Sequence, residues 1–318
     1  TCLSFLALFL AYLSWRFVEQ PFRNKSLISS FKVYSLFFFF SLVIVLIGLL
    51  GHSSNGFYEY KSKLLSGPNQ IFLFDRQIEY RERDNYWDGE LRDSNEPFSK
   101  TDLIKVIILG DSIGKDFYVA SNSSQEIKNH YQLRYAFLDD LCIDFISSQE
   151  KPPNDCKSSF DSLKTNKLIE AADQIVLAAH WQKNTWRNGL IASQRLKDFK
   201  KVKVMGSLKV AEISSIGLHA AQKNLSDFEM KKFSFQSIDE EVEYSYKLGE
   251  ALKEIEGVNF YNKLEVFCEI DKEECSFFKK NGAPLIWDNM HITLEGIDNY
   301  ASWIYNEVLT RPAPMTSK

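Results

Sequence analysis

The sequence lacks the marks of several protein classes. Its 318 residues carry 38 Lys and Arg against 42 Asp and Glu, a formal net charge of -4. With no positive excess there is no electrostatic footprint for a phosphate backbone, so a nucleic-acid partner is excluded. No internal repeat and no low-complexity segment is present. The first apolar stretch is not expected to be a secretory leader, because that needs a charged start, a short apolar core and a small-residue cleavage site. The chain opens instead on Thr1 and stays apolar to Leu13. This start suggests the C-terminal part of a longer protein, entered inside a membrane helix.

Two parts differ sharply in what they do contain. Residues 1–50 are mostly apolar and residues 52–318 mostly polar; Phe is abundant at 25 copies, four of them in the run Phe37-Phe38-Phe39-Phe40. The stretch from Val33 to Gly51 holds no charge, and about 20 apolar residues rising 1.5 Å each cross a hydrocarbon core. It is expected to be a transmembrane helix. Arg16, Arg23, Lys25 and Lys32 lie in the short connection before it, which the positive-inside rule assigns to the cytoplasm. The span then runs outward and everything after His52 lies outside the cytoplasm. Of the cysteines, Cys2 falls in the first apolar stretch, while Cys142 with Cys156 and Cys268 with Cys275 form two close pairs. In an oxidising compartment such pairs read as local disulfides. Metal binding is the rival reading, but no His stands at ligand spacing from either pair, and no metal is expected.

Residues 52–102 are polar and charge-rich, a linker or extension able to carry a helix that packs on the domain. From Leu103 the pattern changes to continuous aliphatic runs: 103–109, 173–179, 202–206 and the shorter 257–261. Such runs are strands buried on both faces of a parallel sheet. Helices are expected between them over 158–171, 188–200 and 239–256, and a last one over 293–309 with Thr293 as its N-cap. Alternating strands and helices predict a three-layer α/β/α sandwich with a mainly parallel sheet over 103–310. The tail 311–318 is expected to be disordered.

The first buried strand runs into Gly110-Asp111-Ser112. Ligands of a doubly wound sheet bind outside the carboxyl ends of its strands, so Ser112 stands where a nucleophile belongs. Its own N–H, at a helix start, can face a developing oxyanion. Alone the tripeptide is a weak signal, because a Ser there also serves as a simple N-cap. Asp288-Asn289-Met290-His291 near the chain's end changes the balance. A serine hydroxyl needs an imidazole to take its proton, and the imidazole needs a carboxylate to fix its tautomer and stabilise its cation. One short segment supplies both. Gly110-Asp111-Ser112-Ile113-Gly114 also fits the Gly-x-Ser-x-Gly elbow of α/β-hydrolases, but that fold places its Ser after several strands and separates acid from His widely. Here neither holds.

These two blocks resemble the SGNH (GDSL-like) hydrolases, whose first block is Gly-Asp-Ser and whose last is Asp-x-x-His. The segment Ser14-Trp15-Arg16-Phe17-Val18-Glu19-Gln20-Pro21-Phe22-Arg23 is similar to the end of an acyltransferase 3 membrane domain. An acyltransferase 3 domain, one further span and a periplasmic SGNH domain make up the layout of bacterial O-acetyltransferases of lipopolysaccharide O-antigen and related surface glycans. The cysteine pairs and Ile175-Val176-Leu177-Ala178-Ala179-His180-Trp181 are similar to that subgroup too. The resemblance implies boundaries of 1–30 for the end of the membrane domain, 31–51 for the last span, 52–102 for the extension and 103–310 for the SGNH domain.

It further implies a protein of the bacterial inner membrane with its soluble domain in the periplasm. No cofactor would be bound there; the absent membrane domain would use a cytoplasmic acetyl donor such as acetyl-CoA. Ser112 would accept the acetyl group and pass it to a hydroxyl of a surface polysaccharide or lipid-linked glycan. The same triad would serve an esterase that deacetylates carbohydrate, and a third possibility is a domain that only binds glycan. The generic family completes its oxyanion hole with the Asn of a Gly-x-Asn-Asp block, where this chain has Ala178-Ala179-His180-Trp181. Candidate oxyanion donors beside Ser112 are therefore Gly114, Asn122 and Asn184. Trp181 and Trp186 are candidates to stack on a sugar ring or simply core, and His180 is a site residue or a structural one at a strand end. His130 and His219 read as surface residues, and the acidic run 239–243 as a solvated helix start.

Overall fold

The computed structural model describes residues 9, 11–12, 15–16, 20, 30–53, 76–146, 153–157, 160–161, 163, 166–198, 200–223, 225–279 and 283–309. They fall into two units, divided after residue 64.

The first unit is built on helix α1, Ser30–Ser53, 24 residues long. The expected span 33–51 is thus a single helix, with Phe37, Phe38, Ile44 and Leu50 among its exposed apolar side chains. Over the described residues alone, no helix is long and apolar enough to cross a membrane. Side chains of residues 30–34 and 36 lie outside the described residues. Cys2 and most of the basic connection also lie outside the described residues, as does 54–75.

The second unit opens with helix α2, Arg76–Leu91. Strand β1, Ile104–Gly110, leads into helix α3, Ser112–Ser123, and strand β2, Tyr131–Phe137, returns beside it. Then follow β3 (Gln174–Ala178), α4 (Trp186–Leu196), β4 (Lys201–Met205), α5 (Ile213–Lys223), α6 (Asp227–Gln236), α7 (Val242–Leu252), β5 (Val258–Tyr261) and α8 (Ile297–Trp303). The five strands form one sheet in the order β2-β1-β3-β4-β5, every neighbouring pair parallel.

Alternation along β1 shows how the sheet divides the core. Val106 and Ile108 join one buried cluster with α3 and α8, while Ile107 and Leu109 join a second with α4 and α7. Both faces are covered, which is why β1 reads as an unbroken aliphatic run. Strand β2 escaped that reading for a physical reason. It is an edge strand, Tyr-Gln-Leu-Arg-Tyr-Ala-Phe, whose Gln132 and Arg134 remain partly exposed. Its alternating pattern resembles polar loop more than buried run.

The expected helix over 158–171 is interrupted: Lys167 takes φ 48°, and Leu168–Ala171 forms a separate turn after it. The last expected helix is likewise not uniform. Thr293 caps its start as anticipated, accepting from Gly296 N–H at 3.0 Å. A 3-10 turn at Leu294–Gly296 precedes α8, and a π turn at Ile304–Val308 follows it. The tail 311–318 lies outside the described residues.

Disulfides join Cys142 to Cys156 and Cys268 to Cys275, closing separations of 14 and 7 residues. The second ties the paired positions of a two-residue hairpin. The chain-entropy model gives about 3 kcal/mol for the larger loop and about 2 kcal/mol for the smaller. Replacing Cys142 and Cys156 together by Ser is therefore expected to lower unfolding free energy by about 3 kcal/mol, read from the urea midpoint and slope together, because freeing the unfolded chain changes the slope too. A midpoint that does not move would refute a stabilising role for this bridge.

Candidate active site

Sheet order places the turn that carries Ser112. The chain leaves β1 and returns to opposite sides of it, through β2 and then β3, so the carboxyl end of β1 is the switch point where a doubly wound sheet opens a crevice. Asp111 caps α3 there, accepting from Ile113 N–H at 2.8 Å through one carboxylate oxygen. Its other oxygen accepts from His180 N–H at 2.8 Å, just past β3. From β2, the Tyr135 hydroxyl donates to the Asp111 carbonyl at 2.9 Å. Three strand ends thus brace one turn, and Ser112 is the first residue of the helix it opens.

The second half of the site is a loop closed by a bridge between Ile286 and Ile292. Inside it, Asp288 Oδ1 accepts from Met290 N–H at 2.7 Å and His291 N–H at 2.8 Å. Asp288 Oδ2 lies 2.7 Å from His291 Nδ1, and His291 Nε2 lies 2.8 Å from Ser112 Oγ. A carboxylate can only accept, so the Nδ1 side carries the proton and Nε2 is free to accept from the serine hydroxyl. Both side chains are mostly buried, at 16% and 20% exposure for His291 and Asp288. Burial raises the Asp288 pKa, but the hydrogen bond and charge of His291, with two backbone N–H groups, outweigh it and hold the carboxyl well below its usual range. Asp111 goes the other way, raised by burial against the two N–H groups that stabilise its charge.

Ser112, Asp288 and His291, separated by up to 179 positions in sequence, therefore meet in one hydrogen-bonded line. Such a line can activate a serine hydroxyl for attack on an ester carbonyl. Beside Ser112, Gly114 sits in the first turn of α3, where a Cβ would lie 3.0 Å from the Ala178 carbonyl oxygen. Its lack of a side chain lets the helix settle against β3.

One expectation is corrected, and one open alternative is decided. Asn122 is no oxyanion donor: it lies ten residues along α3, about 15 Å from Ser112 at helical rise, and donates to Glu90 Oε2. Trp181 is fully buried and donates through Nε1 to the Met205 carbonyl at 2.6 Å, so it is core and not a sugar platform. Asn184 lies in an exposed turn, and no described contact ties it to Ser112. Trp186 is partly buried against the second core cluster and carries the Arg187 guanidinium 4.9 Å over its ring.

His180 borders the site, its backbone holding Asp111. Its Nδ1 stands 3.2 Å from Gln182 Nε2 and its Nε2 3.5 Å from Glu241, which pairs with Lys209 at 2.7 Å. Burial lowers its pKa, against the pull of Glu241, and favours the neutral ring. Of the remaining histidines, His130 is exposed and His219 stacks on Phe233 at 4.4 Å. Among the described residues no group of three His, Cys, Asp or Glu side chains could hold a metal ion.

Sequence reasoning passed over Asp139 and Asp140, which follow β2. Burial raises the Asp140 carboxyl to about 6, Thr185 opposes the rise and Asp139 adds to it. Unfolded, the group titrates near 3.9. A raised folded value means that the ionised form is disfavoured in the fold, so stability falls as pH climbs from about 4 through about 6. Asp140→Asn is accordingly expected to raise the melting temperature at pH 8 and leave it unchanged at pH 4. A shift of equal size at both pH values would contradict this.

The family model described as "SGNH domain (fused to AT3 domains)" matches residues 80–303. Its start falls inside α2. No curated protein matches the sequence. Among solved structures, the periplasmic domain of a lipopolysaccharide acetyltransferase from Salmonella ser. Paratyphi A superposes with a TM-score of 0.51 at 11% identity, covering 74% of this chain and 98% of that one. A Streptococcus pneumonia protein assigned as a platelet activating factor aligns at TM-score 0.38 and 11% identity, over 72% of this chain and 93% of its own.

Proposed function

We propose, because the chain belongs to the SGNH domain family, that its second unit is an acyl-transfer enzyme working through an acetyl-Ser112 intermediate. The observation that carries this reading is the Ser112–His291–Asp288 line, with contacts of 2.8 and 2.7 Å. Ser112 Oγ attacks the carbonyl of a donor acetyl ester or thioester while His291 Nε2 takes its proton. The oxyanion faces the Ser112 N–H at the start of α3, where the helix dipole favours negative charge. Collapse breaks the bond to the leaving group, which receives the proton from His291, and leaves acetyl-Ser112. A sugar hydroxyl then gives its proton to His291 and attacks, the Ser112 Oγ–carbon bond breaks, and Oγ regains its proton. Asp288 holds the ring and stabilises its cationic form in both halves.

Transfer to a sugar of O-antigen, lipopolysaccharide or a related surface polysaccharide is the acceptor reading, supported by the fusion to AT3 domains in the family's description and by a structural neighbour named as a lipopolysaccharide acetyltransferase domain. On this reading an upstream AT3 domain of the same protein takes the acetyl group from a cytoplasmic donor such as acetyl-CoA. Helix α1 is the span linking it to a periplasmic SGNH domain, and the two disulfides fit that compartment.

The test is O-acetylation of surface glycan in cells that carry the complete gene or its Ser112→Ala form. Glycan acetylated by the first and not the second supports transfer. Ester turnover by the protein with no acetylated glycan makes it an esterase, with water as the acceptor. Glycan binding with neither activity makes it a binding domain.

A further inference from the structure

Beneath the triad lies a set of buried charges that the mechanism does not use. Asp116 and Lys263 have no exposed side-chain surface and Arg83 is 7% exposed. Charges are expensive in such places unless paired and hydrogen-bonded. What they bond to is specific: the residues on either side of His291. Lys263 Nζ donates to the Met290 carbonyl at 3.1 Å, on the residue before it. On the residue after it, Ile292 N–H donates to Asp116 Oδ2 at 3.1 Å and the Ile292 carbonyl accepts from Arg83 Nε at 3.0 Å. The cluster is closed internally. Arg83 Nη2 and Trp87 Nε1 both donate to Asp116 Oδ1, at 2.7 and 3.1 Å, and Lys263 Nζ stands 4.0 Å from Asp116 Oδ2.

Asp116 also lies four residues after Ser112 on α3, one helical turn along on the same rigid element. The bonds within the 286–292 loop fix the imidazole relative to Asp288, but they do not fix the loop relative to Ser112. Among the described hydrogen bonds, apart from the Ser112–His291 contact itself, the one that joins α3 to this loop is Ile292 N–H to Asp116.

We infer that Asp116, held by Arg83 and Lys263, is a positioning residue that sets the Ser112–His291 distance. The inference rests on the triad reading above. It gives α2, which precedes the sheet, a part in the site: through Arg83 it grips both the α3 carboxylate and the loop carrying His291. An arginine suits this place because its rigid planar fork carries several nitrogens, so that Nε reaches the Ile292 carbonyl while Nη2 reaches Asp116, where a lysine offers one nitrogen on a flexible stem.

The test measures turnover of p-nitrophenyl acetate by the full chain and by its Asp116→Asn, Arg83→Lys, Lys263→Met and Ser112→Ala forms, with a thermal melt of each. Misplacing a reacting pair by about 1 Å costs on the order of 100-fold in rate. Asp116→Asn is expected to lower kcat by about that factor with KM changed by less than about twofold, since substrate contacts are untouched. Arg83→Lys keeps the buried charge and is expected to show a smaller loss in kcat, again with KM unchanged; it carries the test if Asp116→Asn does not fold. Folded variants that keep kcat within about threefold of the parent, or whose loss lies in KM, overturn the clamp. If Ser112→Ala retains turnover, the triad reading itself falls and the clamp with it. If Ser112→Ala is inactive while Asp116→Asn and Arg83→Lys are fully active, the clamp alone is wrong.

Discussion

Ser112→Ala is expected to lower turnover of an activated acetyl ester by about 10^4- to 10^6-fold while leaving the melting temperature nearly unchanged. The size follows from what the hydroxyl does: without it there is no acyl-enzyme, and what remains is positioning and the oxyanion-facing N–H. His291→Ala should cost about as much, because an unactivated serine hydroxyl is a poor nucleophile. The double variant should be scarcely worse than either single one, since groups that act as a unit lose their function once. Asp288→Asn is expected to cost about 10^4-fold by presenting the wrong partner to Nδ1 and so the wrong tautomer to Ser112. Steady-state rates of the four proteins decide it. Costs that simply add in the double variant would mean that the two side chains, though 2.8 Å apart, do not work together.

Gly110→Ala is expected to have the largest effect on stability. A Cβ at this position would lie 1.7 Å from the Ala178 carbonyl oxygen, 2.6 Å from its carbon and 3.4 Å from its Cα. All three are backbone atoms of β3, so no side chain can swing aside. Relief requires prising β1 from β3 at the end of the sheet, where Gly110 O also accepts from Leu138 N–H at 2.8 Å. Overpacking a core by a methylene or so costs about 1–3 kcal/mol when side chains can adjust; here a backbone must move, and about 3 kcal/mol or more is expected. Any protein that folds should also lose activity, because the Asp111–His180 bond spans the strands being separated. Gly114→Ala, meeting the same carbonyl at 3.0 Å, should be far milder. Melting curves of the two test the ranking, and an unperturbed Gly110→Ala protein would show that this approach is not a close one.

How much of this was legible in the sequence depends on the kind of signal. Strands buried on both faces announce themselves, and β1, β3 and β4 lie where the aliphatic runs put them. An edge strand with one wet face does not, and β2 was missed although it supplies Tyr135 and the approach to Asp140. That Ser112, Asp288 and His291 would meet was readable because the proposed chemistry dictates their types and because the second block holds acid and base within one turn of loop. Their supports were not readable. Arg83, Asp116 and Lys263 are far apart in sequence, and each alone looks like a surface charge until the fold buries all three. Asn122, and the sugar-stacking alternative for Trp181, failed for the converse reason. An indole and a carboxamide suit a sugar site chemically, but the first follows β3 into the core and the second rides α3 away from the site by almost three turns.

The central claim is that Ser112 carries the acetyl group. Its most direct test is mass spectrometry of the protein quenched in acid shortly after mixing with p-nitrophenyl acetate, followed by digestion. The account predicts a single added acetyl group on the peptide containing Ser112, formed at the rate of the initial burst and absent from the His291→Ala form. Acetyl found on a lysine or another serine, or Ser112 unmodified while ester is being consumed, would contradict it.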